Sequence, residues 1–160
     1  MSFLRREEYK RRGFRKNQVP FSIDDMAAEL QKKSPVVFFA FLFGSAQNGI
    51  VPSGGDIDIA AYFSDKKKSD WDTISHTISI VESFLNHQAE CDIIVLNNAS
   101  LYLKNEAIKG ICLFVRPEYE DLYCDVLIKT QYEMEEAQFF RTKYEQYKGN
   151  NGDDLKSWIH

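Results

Sequence analysis

Three aspartates stand where apolar segments begin. Asp56 and Asp58 are separated by one residue, and Asp92 precedes the apolar run 93–96. Side chains two positions apart on a strand project from the same face, so Asp56 and Asp58 would lie side by side. Neighbouring carboxylates repel each other, and a divalent cation removes that repulsion. The spacing therefore predicts a cation site.

Hard carboxylate oxygens suit Mg²⁺, which proteins commonly hold with one or two carboxylates plus substrate phosphates. If the strand at Asp92 lies beside the strand at Asp56, three carboxylates can hold two ions about 4 Å apart. One ion would activate an attacking hydroxyl, and the other would stabilise a leaving pyrophosphate. Asp56, Asp58 and Asp92 are the predicted metal ligands and catalytic residues, with two Mg²⁺ ions as cofactors.

The dipeptide Gly44-Ser45 ends an apolar segment, and a spacer of ten residues separates it from Asp56. Glycine lets the backbone approach a phosphate closely. The Ser45 hydroxyl and the amides after it can donate to phosphate oxygens. If Ser45 begins a short helix, the helix dipole adds to the attraction. A phosphate cradle beside a metal site is what nucleotidyl transfer needs.

Each of these signals has an ordinary alternative. An isolated Asp-x-Asp is usually a solvated strand start, and Gly-Ser after a strand is most often only a turn. Their order along the chain favours one site over separate coincidences.

A sheet with flanking helices would position these residues. Apolar runs rich in β-branched and aromatic residues predict strands over 36–43, 56–63, 92–96 and 111–115. Apolar spacing and capping signals predict helices after Ser22 through Leu30 and over 71–88, 100–109 and 118–148. The first two strands are joined too closely for a clear parallel crossover, so the expected class is α+β with a mixed sheet.

The bulk composition fits one ordinary globular domain. The chain has 160 residues and a net charge of −4, which excludes a uniformly basic nucleic-acid-binding protein. Its three cysteines lack C-x-x-C spacing and predict free thiols, with Cys91 and Cys112 packed as small hydrophobes. No secretory signal and no run long enough to cross a bilayer is present, so a cytoplasmic protein without a membrane partner is expected.

The segments 43–45 and 55–60 resemble the signature of the DNA polymerase β-like nucleotidyltransferase superfamily. Within it, the chain is similar to the minimal nucleotidyltransferase (MNT) family, whose pattern is Gly-Ser, ten residues, Asp-x-Asp and a third Asp after a helix. Segments 92–97 and 107–114 are also similar to that family. The resemblance covers about residues 23–148. It implies a polymerase β-like nucleotidyltransferase domain over 21–150, between a basic extension over 1–20 and a tail over 151–160.

The resemblance also implies roles for single residues. Gly44 and Ser45 match the positions that hold the β and γ phosphates, Asp56 and Asp58 the metal ligands, and Asp92 the acid that helps to activate the nucleophile. Many family members are antitoxins paired with a helical HEPN ribonuclease, and some transfer AMP onto a tyrosine of that toxin. The implied function is an adenylyltransferase antitoxin of type VII, with ATP as co-substrate and a HEPN toxin as partner.

Two positions depart from the family pattern. Asn48-Gly49 stands where the family has Arg-Gly, and Gly55 stands where it has Ser. Neither change removes a metal ligand, and Gly55 is placed with Gly44 and Ser45 among the predicted nucleotide-binding residues. Loss of the arginine would weaken triphosphate binding or change the accepted partner.

Two other functions use the same residues. The acceptor could be a small hydroxylated molecule such as an aminoglycoside, with a pocket built by a homodimer through the long last helix. Alternatively, the chain could mask a toxin without catalysis. Residues 1–16 are strongly basic and are either a solvated extension or an arm that contacts a polyanion, such as nucleic acid, or an acidic partner. Tyrosines of the last helix serve either packing or a protein interface.

Overall fold

The computed structural model describes residues 17–67 and 70–150. The strands are β1 (Val19–Pro20), β2 (Val37–Phe43), β3 (Ile50–Val51), β4 (Ile57–Phe63), β5 (Cys91–Val95) and β6 (Ile111–Val115). The helices are α1 (Ile23–Lys33), α2 (Trp71–Phe84), α3 (Leu101–Ile108) and α4 (Glu120–Asn150). Single 3₁₀ turns follow β2, β5 and β6, at Gly44–Ala46, Leu96–Asn98 and Pro117–Tyr119.

The main sheet has four strands in the order β5-β4-β2-β6. Strand β2 runs antiparallel to β4 and β6, while β4 and β5 are parallel. The α+β prediction with a mixed sheet is therefore confirmed. A second, two-stranded sheet pairs β1 with β3. Its strands have two residues each, too few for a periodic pattern to reveal them in the sequence.

Successive residues of β4 face two different apolar layers, one on each side of the sheet. Ile57 and Ile59 face the larger core, to which α1 and α2 contribute Met26, Leu30 and Val81. Residues on the other face of the sheet pack into a second cluster with α3 and the start of α4, comprising Phe39, Phe41, Ala60, Leu96 and Ala107. The sheet is thus covered on both faces, and the half-buried aspartates lie at the N-terminal ends of β4 and β5.

The helix starts follow their capping residues. Ser22 accepts a hydrogen bond from the Asp25 backbone N–H at 3.2 Å, and Ser100 caps α3 by accepting from Leu103 at 3.3 Å. Helix α2 ends at Phe84, earlier than the predicted 88, because Asn86 and His87 adopt positive φ angles of 54° and 57°. This left-handed turn redirects the chain into β5.

The described chain joins the fold before residue 21. Val19 pairs with Val51, so the last residues of the stretch predicted as an extension, 1–20, take part in the small sheet. The basic residues of 1–16 and the tail over 151–160 lie outside the described residues. In the described ranges, none of the helices is both long and apolar enough to cross a membrane.

The three cysteines are free thiols, as predicted. Cys91 is buried, but Cys112 is exposed, so the expectation that Cys112 packs as a small hydrophobe is wrong. Strand β6 is an outer strand of the sheet. One face of its apolar run is therefore only partly covered.

Candidate active site

The parallel pairing of β4 with β5 places Asp58 directly opposite Asp92. Opposed residues on neighbouring strands share a face and lie about 4.8 Å apart in the backbone. Asp56 precedes β4 by one residue and belongs to the same face as Asp58, about 7 Å away along the chain. The three predicted ligands therefore lie together at the N-terminal ends of β4 and β5.

Gly44 lies against the carboxylate of Asp58. Phe43, the last residue of β2, pairs with Asp58, and the chain then turns at Gly44 with a φ of +77°. A Cβ atom added to Gly44 would overlap the Asp58 Oδ2 atom. Both the backbone conformation and the close approach therefore require glycine, and they place the Gly-Ser turn beside the aspartates.

The turn after β2 presents donors to solvent. Gly44 and Ser45 are exposed, and Gln47 Nε2 donates to the Gly44 carbonyl at 3.1 Å. The backbone N–H of Gly49 donates to Ala46 at 3.1 Å and closes the turn. The predicted helix at Ser45 is only one 3₁₀ turn, so few aligned peptide dipoles add to the attraction for phosphate. The donors are local amides and the serine hydroxyl.

The two departures from the family pattern have structural roles. Asn48 Oδ1 accepts a hydrogen bond from the Ile50 N–H at 3.2 Å and holds the corner before β3. Gly55 donates its N–H to the Pro52 carbonyl at 2.9 Å, and a Cβ at Gly55 would lie 2.7 Å from Pro52 Cγ. Serine at this position would clash with Pro52. Contact between Gly55 and a nucleotide stays a prediction.

Negative charge is concentrated at this end of β4 and β5. Cys91 is buried there, and burial raises the pKa of its thiol well above the usual value. The charges of Glu82, Asp92, Asp58 and Asp56 raise it further. Four carboxylates thus act on one buried atom, and the resulting field attracts cations.

Glu82 is a supporting residue that the sequence did not reveal. Its side chain is buried on α2, and its Oε1 accepts a hydrogen bond from the Cys91 backbone N–H at 3.4 Å. The contact ties α2 to the strand position just before Asp92. From the sequence, a glutamate in an amphipathic helix is expected to be a solvated surface residue. The apolar spacing therefore gave no indication of this role.

The carboxylate oxygens of the aspartates suit a Mg²⁺ ion whose remaining ligands come from the substrate and from water. Across residues 17–67 and 70–150, no group of three or more His, Cys, Asp or Glu side chains is arranged to hold an ion alone. Carboxylates repel each other in the absence of a cation, and Mg²⁺ takes its remaining ligands from water and phosphate. The half-buried Asp56, Asp58 and Asp92 supply suitable hard oxygen donors.

A comparison with protein-family models matches residues 26–119 to the family described as "Polymerase beta, Nucleotidyltransferase". This match spans more than half of the chain and includes the Gly-Ser turn and all three aspartates. The chain belongs to the polymerase β nucleotidyltransferase family. The resemblance carried by the Gly-Ser and Asp-x-Asp segments is thus confirmed, and so is the assignment of the chain as a nucleotidyltransferase.

Solved structures with a similar fold come from toxin–antitoxin complexes. A chain of a mutant MntA–HpeT toxin–antitoxin structure aligns at 17% identity and a TM-score of 0.53, covering 88% of this nucleotidyltransferase and 100% of that chain. A toxin–antitoxin structure with AMP-PNP aligns at 19% identity and a TM-score of 0.52, covering 86% and 98%. A search of the curated proteins found no match. At these identities the likeness shows a shared fold.

Proposed function

We propose that this nucleotidyltransferase transfers AMP from ATP to a tyrosine hydroxyl of a HEPN-type toxin and thereby acts as an antitoxin. The observation that carries the proposal is the register of Asp58 with Asp92 beside the Gly44 turn. The similar solved structures support the choice of substrate and partner, because they are toxin–antitoxin complexes and one contains AMP-PNP.

Asp56, Asp58 and Asp92 would hold the Mg²⁺ ions through their carboxylate oxygens. When bound, Mg²⁺ neutralises charge on the triphosphate and makes a nearby hydroxyl more acidic. The exposed Ser45 hydroxyl and the amides of the Gly44–Ala46 turn would donate to phosphate oxygens. These donors are needed because the carboxylates alone would repel a triphosphate.

The transfer is an in-line displacement at the α phosphorus. The tyrosine oxygen forms the new bond to phosphorus, and the bond to the oxygen that bridges the α and β phosphates breaks. Pyrophosphate leaves with that electron pair. Asp92 would take up the proton of the hydroxyl, since it lies directly opposite Asp58 on the outer strand β5.

A cavity in the described part of the chain lies away from the three aspartates. A cavity of about 260 Å³ is lined in part by Tyr62, Asn97 and Lys129. Tyr62 is four residues beyond Asp58 on β4, so this cavity opens about 13 Å further along the strand. It does not contain Asp56, Asp58 or Asp92, so it is not the acceptor site of the proposed transfer.

The test is to incubate the protein with ATP, Mg²⁺ and the HEPN-type toxin encoded beside it. Mass spectrometry should show a gain of one AMP on a toxin tyrosine. The Asp56→Asn/Asp58→Asn variant should give no gain, because asparagine keeps the shape and removes the charge. Unmodified toxin after incubation with the wild type would contradict the proposal.

Toxin neutralisation separates catalysis from masking. If catalysis is required, Asp56→Asn/Asp58→Asn should fail to neutralise the toxin although it still binds it. If the variant neutralises as well as the wild type, the chain acts by covering the toxin, and the proposed transfer is not its mode of action.

A further inference from the structure

The N-terminal ends of β4 and β5 combine four acidic side chains. Asp56, Asp58 and Asp92 lie there, and the buried Glu82 accepts a hydrogen bond from the backbone of Cys91. A nucleoside triphosphate is itself strongly negative, so ions held by these carboxylates leave part of its charge unbalanced. Enzymes that transfer phosphoryl groups balance such charge with basic side chains as well as with metal ions. A basic residue close to this end of the sheet is therefore expected.

Most basic residues in the described part of the chain lie elsewhere. Those of α1 end that helix beside the start of β2, and two lysines follow the C-terminal end of β4. Arg116 donates to the Val37 carbonyl at the same end of the sheet. Lys104 lines the cavity near Tyr62, and the basic residues of α4 begin with Lys129 beside that cavity. Within residues 17–67 and 70–150, Lys109 remains.

Lys109 lies next to the Gly44 turn. It is the C-cap residue of α3, and Gly110 follows it directly. A Cβ atom added to Gly110 would overlap the Leu42 carbonyl oxygen and lie 3.0 Å from the Phe43 Cβ atom, so Gly110 packs on the end of β2. Since Gly44 follows Phe43, the Cα atoms of Lys109 and Gly44 lie within about 13 Å of each other.

Helix α3 covers the face of the sheet to which the aspartates belong. Ala107 packs in the second apolar cluster together with Ala60, and Ala60 shares its face of β4 with Asp58. Lys109 thus ends α3 on the side of the sheet where the carboxylates lie. Its side chain is exposed and forms no ion pair with a residue of the described ranges. The ammonium group is therefore available to a ligand.

The strand order places these features in a row across one end of the sheet. Asp92 pairs with Asp58, Asp58 pairs with Phe43, and Gly110 packs against Phe43. Neighbouring strands are about 4.8 Å apart, so the row leads stepwise from β5 to β6. The phosphate donors of the turn after β2 lie between the aspartates and Lys109. A triphosphate whose reacting phosphate lies at the aspartates therefore extends over the turn towards Lys109.

We propose that Lys109 binds the terminal phosphate of the nucleotide and makes the site selective for triphosphates over diphosphates. This inference rests on the proposed function, which puts the reacting phosphate at the aspartates. A lysine ammonium is a compact charge on a flexible stem and can follow a terminal phosphate. A diphosphate has no phosphate at this position, so its binding does not depend on Lys109. A purely structural role for Lys109 would be to balance the negative end of the α3 dipole.

Calorimetry with ATP and with ADP, each with Mg²⁺, tests the role on the protein alone and in complex with its HEPN-type toxin. The wild type should bind ATP about tenfold or more tightly than ADP, because a hydrogen bond between charged groups is a strong one. Lys109→Gln removes the charge and should lower the affinity for ATP about tenfold, with the affinity for ADP unchanged. Lys109→Arg keeps the charge and should retain most of the preference for ATP.

Lys104→Gln is the matched control, because it removes the same charge from the same helix beside the cavity. It should bind both nucleotides like the wild type. Thermal melting identifies a structural role, since a residue that only balances the dipole would change the melting temperature and leave the ratio of the two affinities unchanged. An unchanged ratio in Lys109→Gln would overturn the proposal, and so would a wild type that binds ATP and ADP equally.

Removal of residues 1–16 tests whether the strongly basic N-terminal residues supply the charge instead. The shortened chain should keep its preference for ATP. If the preference is lost there and kept in Lys109→Gln, the charge belongs to residues 1–16 and the proposal for Lys109 falls. If neither nucleotide binds to the wild type, alone or in the complex, the result contradicts the proposed function and this inference with it.

Discussion

Gly44 is the residue near the carboxylates with the least freedom to change. Its φ of +77° costs an L side chain energy, and the space that a Cβ would need is filled by the Asp58 carboxylate. The same absence of a side chain exposes the turn amides beside the aspartates. Gly44 thus affects both the position of the Asp58 carboxylate and the surface that phosphate would contact.

Gly44→Ala should reduce transfer activity by about 100-fold, because a catalytic group displaced by about 1 Å costs that much. The left-handed backbone should also lower the free energy of unfolding by about 1 kcal/mol. Steady-state kinetics and thermal melting measure the two effects. Gly149→Ala is the matched control, since an added Cβ there would meet nothing within 4 Å among the described residues outside its own helix backbone. Equal activity of Gly44→Ala and wild type would refute the close contact.

Asp56→Asn/Asp58→Asn should lose Mg²⁺-dependent ATP binding, because neutral amides hold Mg²⁺ poorly and leave no charge for the ion to balance. Calorimetry with ATP and GTP, each with and without Mg²⁺, measures this directly. Asp24→Asn/Asp25→Asn changes two exposed aspartates of α1 and should bind like the wild type. No binding by the wild type would mean that the partner completes the site.

At the scale of elements, Arg116 joins three segments. Its Nε donates to the Val37 carbonyl at 2.7 Å, and its guanidinium donates to the carbonyls of Gln31 and Ser34 at 2.7 and 3.0 Å. The guanidinium also lies 5.3 Å from the ring centre of Phe114. The end of β6 is thereby fastened to the end of α1 and the start of β2.

Arg116→Lys should lower the free energy of unfolding by about 2 kcal/mol, because an ammonium group cannot reproduce the fork that reaches three carbonyls. Urea denaturation measures the change. Arg141→Lys, at an exposed position of α4, should leave stability unchanged at low protein concentration. Equal stability of Arg116→Lys and wild type would show that the three hydrogen bonds contribute little.

Tyr123 makes stability depend on pH in alkaline solution. It packs against Phe39 and Phe41, and burial raises its pKa from 10 to about 12. Between these values the unfolded chain releases the phenol proton while the folded chain retains it. Stability should therefore fall as the pH rises from 10 to 12, and this group contributes no pH dependence below that range.

Urea titrations at several pH values test this effect. Tyr123→Phe should show a shallower loss of stability between pH 10 and 12, because no proton is left to release at that position. Tyr132→Phe, at an exposed site on the same helix, should follow the wild type. Identical curves for Tyr123→Phe and wild type would assign the alkaline loss to other groups.

At the scale of the molecule, the predicted site and the distal half of α4, residues 135–150, are separate. Asp58 and Asp92 belong to β4 and β5 and Asp56 directly precedes β4, whereas residues 135–150 are exposed beyond the domain. Ending the chain after residue 134 should keep Mg²⁺-dependent ATP binding and lower the melting temperature by no more than about 4 °C. Thermal melting and calorimetry measure both. A chain that no longer folds would show that the distal half supports the domain.

The sequence by itself determined the local features of this protein. The apolar run over 56–63 predicted a strand with Asp56 and Asp58 on one face, and Ser22 and Ser100 marked the starts of helices. These features depend on residues within a few positions of one another, so the pattern contains the needed information. The resemblance to a known family added the order of the ligands and the expected roles.

Only the tertiary structure decided which distant residues meet. The pairing of Asp58 with Asp92, the contact of Gly44 with Asp58 and the hydrogen bond from Cys91 to Glu82 depend on strand register and helix packing. Register follows from the sum of many weak contacts across the sheet, and no short segment encodes that sum. The two-residue strands β1 and β3 exist for the same reason, because pairing forms them and local preference does not.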